Sequence, residues 1–188
     1  MSVRRKPPRG RDEVRDALLD AATALYQRRG PARVSVRDVA SRAGVNHGLV
    51  HRHFGSKDAL TAEVMARLVA RLQADLWPEG QPIALAEALR LVFAATRKHT
   101  AYWQILARAL LDGDDPRALQ GSFPVVQRLV DVLAASGRAG KQARGWTAVL
   151  VAGGLGLLVF APFVRAATGL DAKTFNAFVD GLPEKLAG

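Results

Sequence analysis

The chain contains no cysteine. Disulfides and thiolate metal sites are therefore excluded, and a reducing, cytoplasmic setting is the expectation. Strand signals are also missing: no apolar and polar residues alternate over a sustained run between hairpin turns. No internal repeat and no low-complexity segment is present. The marks of catalysis are lacking too. There is no nucleophile motif, no pair of carboxylates with a supporting histidine, and no glycine-rich phosphate loop after a strand. Asp112, Asp114 and Asp115 cluster, but inside a Gly/Pro loop they read as solvated surface. Neither an enzyme nor a cofactor is expected. The first ten residues, MSVRRKPPRG, are basic with no apolar run behind them, unlike a secretory signal.

Acidic residues are scarce beside basic ones. The chain has 27 Lys and Arg against 17 Asp and Glu, a net +10. Such a balance favours polyanions, nucleic acid first and an acidic membrane surface second. Residues 1–60 hold 13 basic and 6 acidic groups, a net +7, and residues 61–188 hold 14 and 11, a net +3. This asymmetry implies a basic binding head on a nearly balanced body.

What is present is helix. With 188 residues, 49% of them hydrophobic, the chain can bury a core. Val14, Leu18, Ala21, Ala22 and Leu25 recur at helical spacing over Arg11–Arg29, and Gly30-Pro31 ends that helix. Ser35 opens a second helix as a capping residue with Asp38 three positions on. Gly44 stops it. Asn46 caps a third, through about His53. Ser56 caps a fourth, from Lys57 to about Trp77, which Pro78 ends. Further helices are expected over 82–99, 100–111, 117–136 with a disturbance at Pro124, 141–167 and 172–186. The division expected is a basic arm over 1–10, a DNA-binding head over 11–56 and a body over 57–188.

Two short helices joined at a glycine match the helix-turn-helix pattern. Val36, Val39, Ala40, Val45 and Val50 would hold the pair against the first helix. The outer face of the third helix, carrying Asn46, His47, Gly48, Leu49, His51 and Arg52, is then free to enter a major groove. Arg and Asn bond base edges, and Leu49 can touch a thymine methyl. Ser35, Arg37 and Lys57, with the helix N-terminal amides, are placed to grip phosphates. His53 reads either as a DNA contact or as packing at the helix end. His47 and His51 share a face at i, i+4, but no intervening Glu and no further ligand support a metal, so none is expected.

The stretch SVRDVASRAGVNHGLVHRHFGSKDAL resembles the N-terminal DNA-binding signature of the tetracycline-repressor (TetR) family, over roughly residues 12–64. The resemblance implies an all-α homodimer. A three-helix helix-turn-helix head would join a C-terminal helical ligand-binding and dimerisation bundle, and a small molecule would end repression. It also implies that Ser35 and Lys57 contact the DNA backbone and that residues 46–53 form the recognition helix. Two positions depart from the family. His51 stands where Tyr is usual, and Leu49 where Thr or Ser is common.

In the body, Phe93, Trp103, Leu106, Leu110 and Phe123 are bulky and spread over three helices, as an apolar effector pocket requires. His99 is a candidate polar anchor, and Trp146 is taken with this set. Residues 146–164 carry no charge and are long enough for a membrane span. Burial by the core and a partner subunit satisfies the same composition, so no membrane is expected. Leu155, Leu158, Val159 and Phe163, with Phe175, Phe178, Val179 and Leu182 of the last helix, are the expected dimer contacts. The partners expected are a near-palindromic double-stranded operator, an apolar or aromatic effector and a second copy. An activator with the same head, or a DNA-coating protein without sequence preference, uses the same residues.

Overall fold

In the computed structural model, residues 8, 10–76, 83–138 and 140–187 are described. Most of the basic arm lies outside these, as do the expected helix boundaries at Trp77, Pro78 and Pro82. Among the described residues there are helices and no strands. They are α1 (Arg11–Arg29), α2 (Val36–Ala43), α3 (Gly48–Phe54), α4 (Lys57–Leu76), α5 (Leu85–Lys98), α6 (Thr100–Leu111), α7 (Pro116–Leu119), α8 (Pro124–Ala135), α9 (Lys141–Thr168), α10 (Ala172–Asp180) and α11 (Leu182–Ala187).

Two expected helices are divided. The disturbance at Pro124 is a full break, because Pro124 takes the first position of α8, where a missing N–H has no intrahelical partner to lose. The last expected helix breaks at Gly181 into α10 and α11. In contrast, α9 continues through Pro162, although an internal proline removes one intrahelical hydrogen bond.

The chain forms two compact units, neither contiguous in sequence. The first takes residues up to Leu68 together with Gln104–Gly121. The body expected from 57 onward thus gives 57–68 and 104–121 to this unit. The reason is burial: Leu60, Val64 and Met65 of α4 and Leu18, Leu19, Ala22 and Tyr26 of α1 are all withdrawn from solvent. Arg67 donates to Asp20 at 2.7 Å, and Arg15 pairs with Glu63, so the polar flanks of α1 and α4 also meet. Gln27 donates to Gln104 at 2.9 Å, joining α1 to α6. Gly30 sits beside Arg108 and Asp112 with φ +78°, a close approach in a backbone conformation that L side chains rarely adopt.

The second unit holds Val69–Trp103 and Ser122–Gly188. Its core includes Leu129 and Leu133 of α8 and Ala143 of α9, with Leu85, Leu150 and Val151 packed against them. Arg90 bridges to Glu184 at 3.1 Å, and Arg97 pairs with Asp180, tying α5 to α11 and α10. Asp75 receives Lys98 at 2.8 Å and His99 at 2.6 Å. The hydrogen bond from Lys98, then that from His99, holds the Asp75 carboxyl below its ordinary range.

The 28 residues of α9 span about 42 Å at 1.5 Å per residue. By length and composition it is long and apolar enough to cross a membrane. Within a single chain it is covered on one side only. Trp146, Val149, Phe160 and Phe163 are exposed, Phe163 by 71%. With Gly153 and Gly156 they recur at steps of three and four, which makes one continuous stripe.

Candidate DNA-binding head and effector cavity

The head is pinned at each helix end by side chains or glycines. Ser35 accepts from the Asp38 N–H at 3.1 Å, and the Asp38 carboxylate accepts the Ser35 N–H at 2.9 Å and its hydroxyl at 2.7 Å. This reciprocal cap starts α2 and holds the Asp38 carboxyl below its usual range, chiefly through the Ser35 side chain. Gly44 ends α2 at φ 70°, ψ 32°, the left-handed conformation that glycine accommodates without strain. Val45 then donates its N–H to the Ala40 carbonyl at 3.0 Å, which closes the turn. Asn46 caps the recognition helix: its Oδ1 accepts the Gly48 N–H at 2.8 Å. His47 already has helical angles, so Asn46 is the functional cap although α3 is bounded at Gly48.

Beyond the turn, Val50 and Phe54 point into the core, while His47, Gly48, His51 and Arg52 are exposed. Leu49 and His53 are half-buried, and the His53 ring lies 6.2 Å from that of Phe54. The arrangement presents polar atoms outward from a helix whose inner face is fixed. His51 Nδ1 contacts the Gly55 carbonyl at 3.1 Å. Gly55 turns at φ 79°, and Ser56 then caps α4 by accepting the Ala59 N–H at 3.0 Å. Lys57 donates to the Ala32 carbonyl at 3.3 Å. An ammonium has three donors, so two stay available to an anion at the head's surface.

Arg37 is exposed, as expected of a phosphate contact. Arg33 and Arg42 are exposed on the same unit, and sequence reasoning does not single them out. Their positions in the α1–α2 connection and on α2 offer no pattern distinct from ordinary solvated charge.

The second unit contains a half-open apolar cleft of about 140 Å³, between α5, α9 and α10. Phe93 lines it, along with Thr96, Arg97, Leu157 and Ala161. Leu158, Phe175 and Val179, expected at a dimer contact, line this cleft, and Phe175 is buried. Trp103 is buried, edge-on to Tyr102 at 4.7 Å, and its indole N–H has no hydrogen-bond partner among the described residues. His99 is bound to Asp75. Leu106 and Leu110 belong to the first unit, Leu110 being exposed. Phe123 is exposed, and Trp146 lies on the bare stripe of α9 at 50% exposure. Val159, Phe163 and Phe178 are exposed as well, while Leu155 and Leu182 are half-buried. Sequence reasoning misses Thr96, Arg97 and Asn176: the cleft is assembled from helices far apart in sequence, and no local spacing marks it.

A fixed three-helix head that exposes the second helix of a helix-turn-helix defines a DNA-binding transcription regulator. The model of the bacterial regulatory proteins of the tetR family matches residues 18–64. The HTH-type transcriptional repressor Rv3405c of Mycobacterium tuberculosis is 42% identical over 171 residues, covering 91% of this chain and 86% of that one. The chain belongs to the tetR family, whose members are transcription factors and not enzymes. Among solved structures, a TetR-like transcriptional regulator from Rhodococcus sp. RHA1 superposes with a TM-score of 0.68 at 24% identity, covering 96% of this chain and 99% of that one. The multidrug binding protein EbrR, complexed with imidazole, superposes with a TM-score of 0.59 at 26% identity, covering 78% and 80%.

Proposed function

We propose that this regulator is a cytoplasmic, ligand-responsive repressor. Two copies bind a near-palindromic operator, and a small apolar or aromatic molecule releases them. The observation that carries the reading is the exposed polar face of α3, held at both ends by Asn46 and by the His51–Gly55 contact. A preorganised helix loses little entropy on entering a major groove. Two such heads would take half-sites about 34–36 Å apart, or a multiple of that. The relative from M. tuberculosis is named a repressor, which supports repression over activation.

The α9 stripe supports the dimer. Its apolar residues, if left bare, would cost solubility, and a second copy of the same stripe covers them symmetrically without a membrane. The effector is assigned to the second unit. The cleft beside Phe93 supplies apolar walls, which favour an apolar or aromatic effector. An effector acts only through unequal affinity for the DNA-competent and DNA-incompetent states. Effector and operator therefore weaken each other by the same factor.

The test is selection of bound duplexes from a random pool. A near-palindrome enriched by orders of magnitude over random DNA supports the reading. Binding with no preferred sequence overturns it in favour of a DNA-coating role.

A further inference from the structure

We propose that His51 reads its base pair as a hydrogen-bond acceptor, recognising an exocyclic amino group, adenine N6 or cytosine N4, through Nε2. The inference rests on the sequence-reading head proposed above and adds the chemistry of one contact. The Gly55 carbonyl has no proton to give, so the 3.1 Å contact places the ring hydrogen on Nδ1. A second bond runs back between the same residues, from the Gly55 N–H to the His51 carbonyl at 2.9 Å. The ring contact sets the tautomer, and the backbone bond holds Gly55 where its carbonyl meets the ring. In a neutral imidazole with hydrogen on Nδ1, Nε2 carries only a lone pair.

The rest of the face makes this lone pair distinctive. Asn46 has committed its Oδ1 to the Gly48 N–H, so its amide presents an NH2 group. Arg52 is exposed and has only donors. Guanine N7 and O6, adenine N7 and thymine O4 are acceptors and suit such donors. An outward lone pair suits the opposite kind of base atom. Only adenine N6 and cytosine N4 supply major-groove donors, and His51, exposed one turn beyond His47 on the groove-facing side, presents the matching atom.

The experiment begins with the operator selected by the full-length protein at pH 8. The base pair read by His51 is the one whose preference disappears in His51→Ala. Two operators modified at that pair are then compared, one lacking the amino group (purine for adenine, or pyrimidin-2-one for cytosine), the other lacking purine N7 (a 7-deaza base). Loss of the amino group should weaken wild-type binding roughly three- to tenfold, as for one hydrogen bond, and leave His51→Ala unaffected. The 7-deaza operator should bind both proteins unchanged. Nitrogen NMR of the ring should show Nδ1 protonated and Nε2 bare. A loss on the 7-deaza operator alone, a ring protonated at Nε2, or an equal loss for His51→Ala on every sequence would each overturn the assignment. Failure of the wild type to select any sequence removes the regulator reading as well, so the two failures are distinguishable.

Discussion

The hydroxyls of Tyr26 and Thr61 meet 3.2 Å apart in the core between α1 and α4. The Thr61 hydroxyl also lies 2.9 Å from the Lys57 carbonyl, a second acceptor for its single proton. One buried polar contact thus joins the helix that supports the recognition unit to the first turn of α4, where Lys57 reaches the surface of the head.

Burial raises the Tyr26 phenol above its ordinary value, with the Asp58 carboxylate adding to the rise and the Thr61 hydrogen bond opposing it. Above pH about 10 an unfolded tyrosine loses its proton while folded Tyr26 retains it. The unfolded state then binds fewer protons, so stability falls as pH rises through that region. Denaturant midpoints between pH 8 and 11 should decline less steeply in Tyr26→Phe than in the wild type. At pH 7 the same variant should lose about 0.5–1.5 kcal/mol, the worth of one hydrogen bond. Equal slopes for the two proteins would show that Tyr26 contributes nothing to the alkaline limit.

Ser35→Ala removes the hydroxyl side of the α2 cap and leaves the backbone N–H of residue 35 to the Asp38 carboxylate. A lost cap costs about 1 kcal/mol, read as a lower urea midpoint. Because Ser35 depresses the Asp38 pKa, the stabilisation is present above the usual carboxylate range and fades as pH falls through it. The gap between wild type and variant should therefore narrow in acid, down to the part carried by the Asp38 N–H. A constant gap down to pH 3 would contradict the coupling.

Gly30 combines φ +78° and ψ 156°, a region essentially restricted to glycine. An added Cβ would stand 3.1 Å from Asp112 Oδ2 and 3.3 Å from Arg108 Cβ. Gly30→Ala should destabilise the chain by about 1–3 kcal/mol in chemical denaturation. Asp112→Ala in the same background should recover part of the loss if crowding contributes, whereas no recovery would assign the cost to backbone conformation alone.

Lys57→Ala should weaken DNA binding by a similar factor on every sequence and reduce the salt dependence of log K by about one. The readout is affinity for operator and random DNA across a salt series. A loss confined to the operator would instead make Lys57 a base contact.

Phe160→Glu with Phe163→Glu places charge on the exposed stripe of α9. These side chains support no core within one chain, so the doubly substituted protein should keep its helical circular dichroism and sediment as a monomer. A persistent dimer would locate the interface elsewhere.

The head is legible in the sequence because its instructions are local. Ser35 with Asp38, Gly44, Asn46 and Ser56 each act within four residues, and each does in the structure what its chemistry and spacing imply. The body is less so. Its helices are visible as apolar periodicity, but periodicity does not say what an apolar side chain faces. Phe175 and Phe178 lie three apart in one helix, yet the first lines the cleft and the second is exposed.

By itself the sequence determined the helical class, the helix ends of the head and the basic helix-turn-helix, because capping, glycine conformation and charge are properties of neighbouring residues. Tertiary structure decided the rest. It joined residues 104–121 to the head, built a cleft from α5, α9 and α10, and left one side of α9 bare. These depend on how helices pack and how side chains are oriented, and burial there is settled by partners distant in the chain.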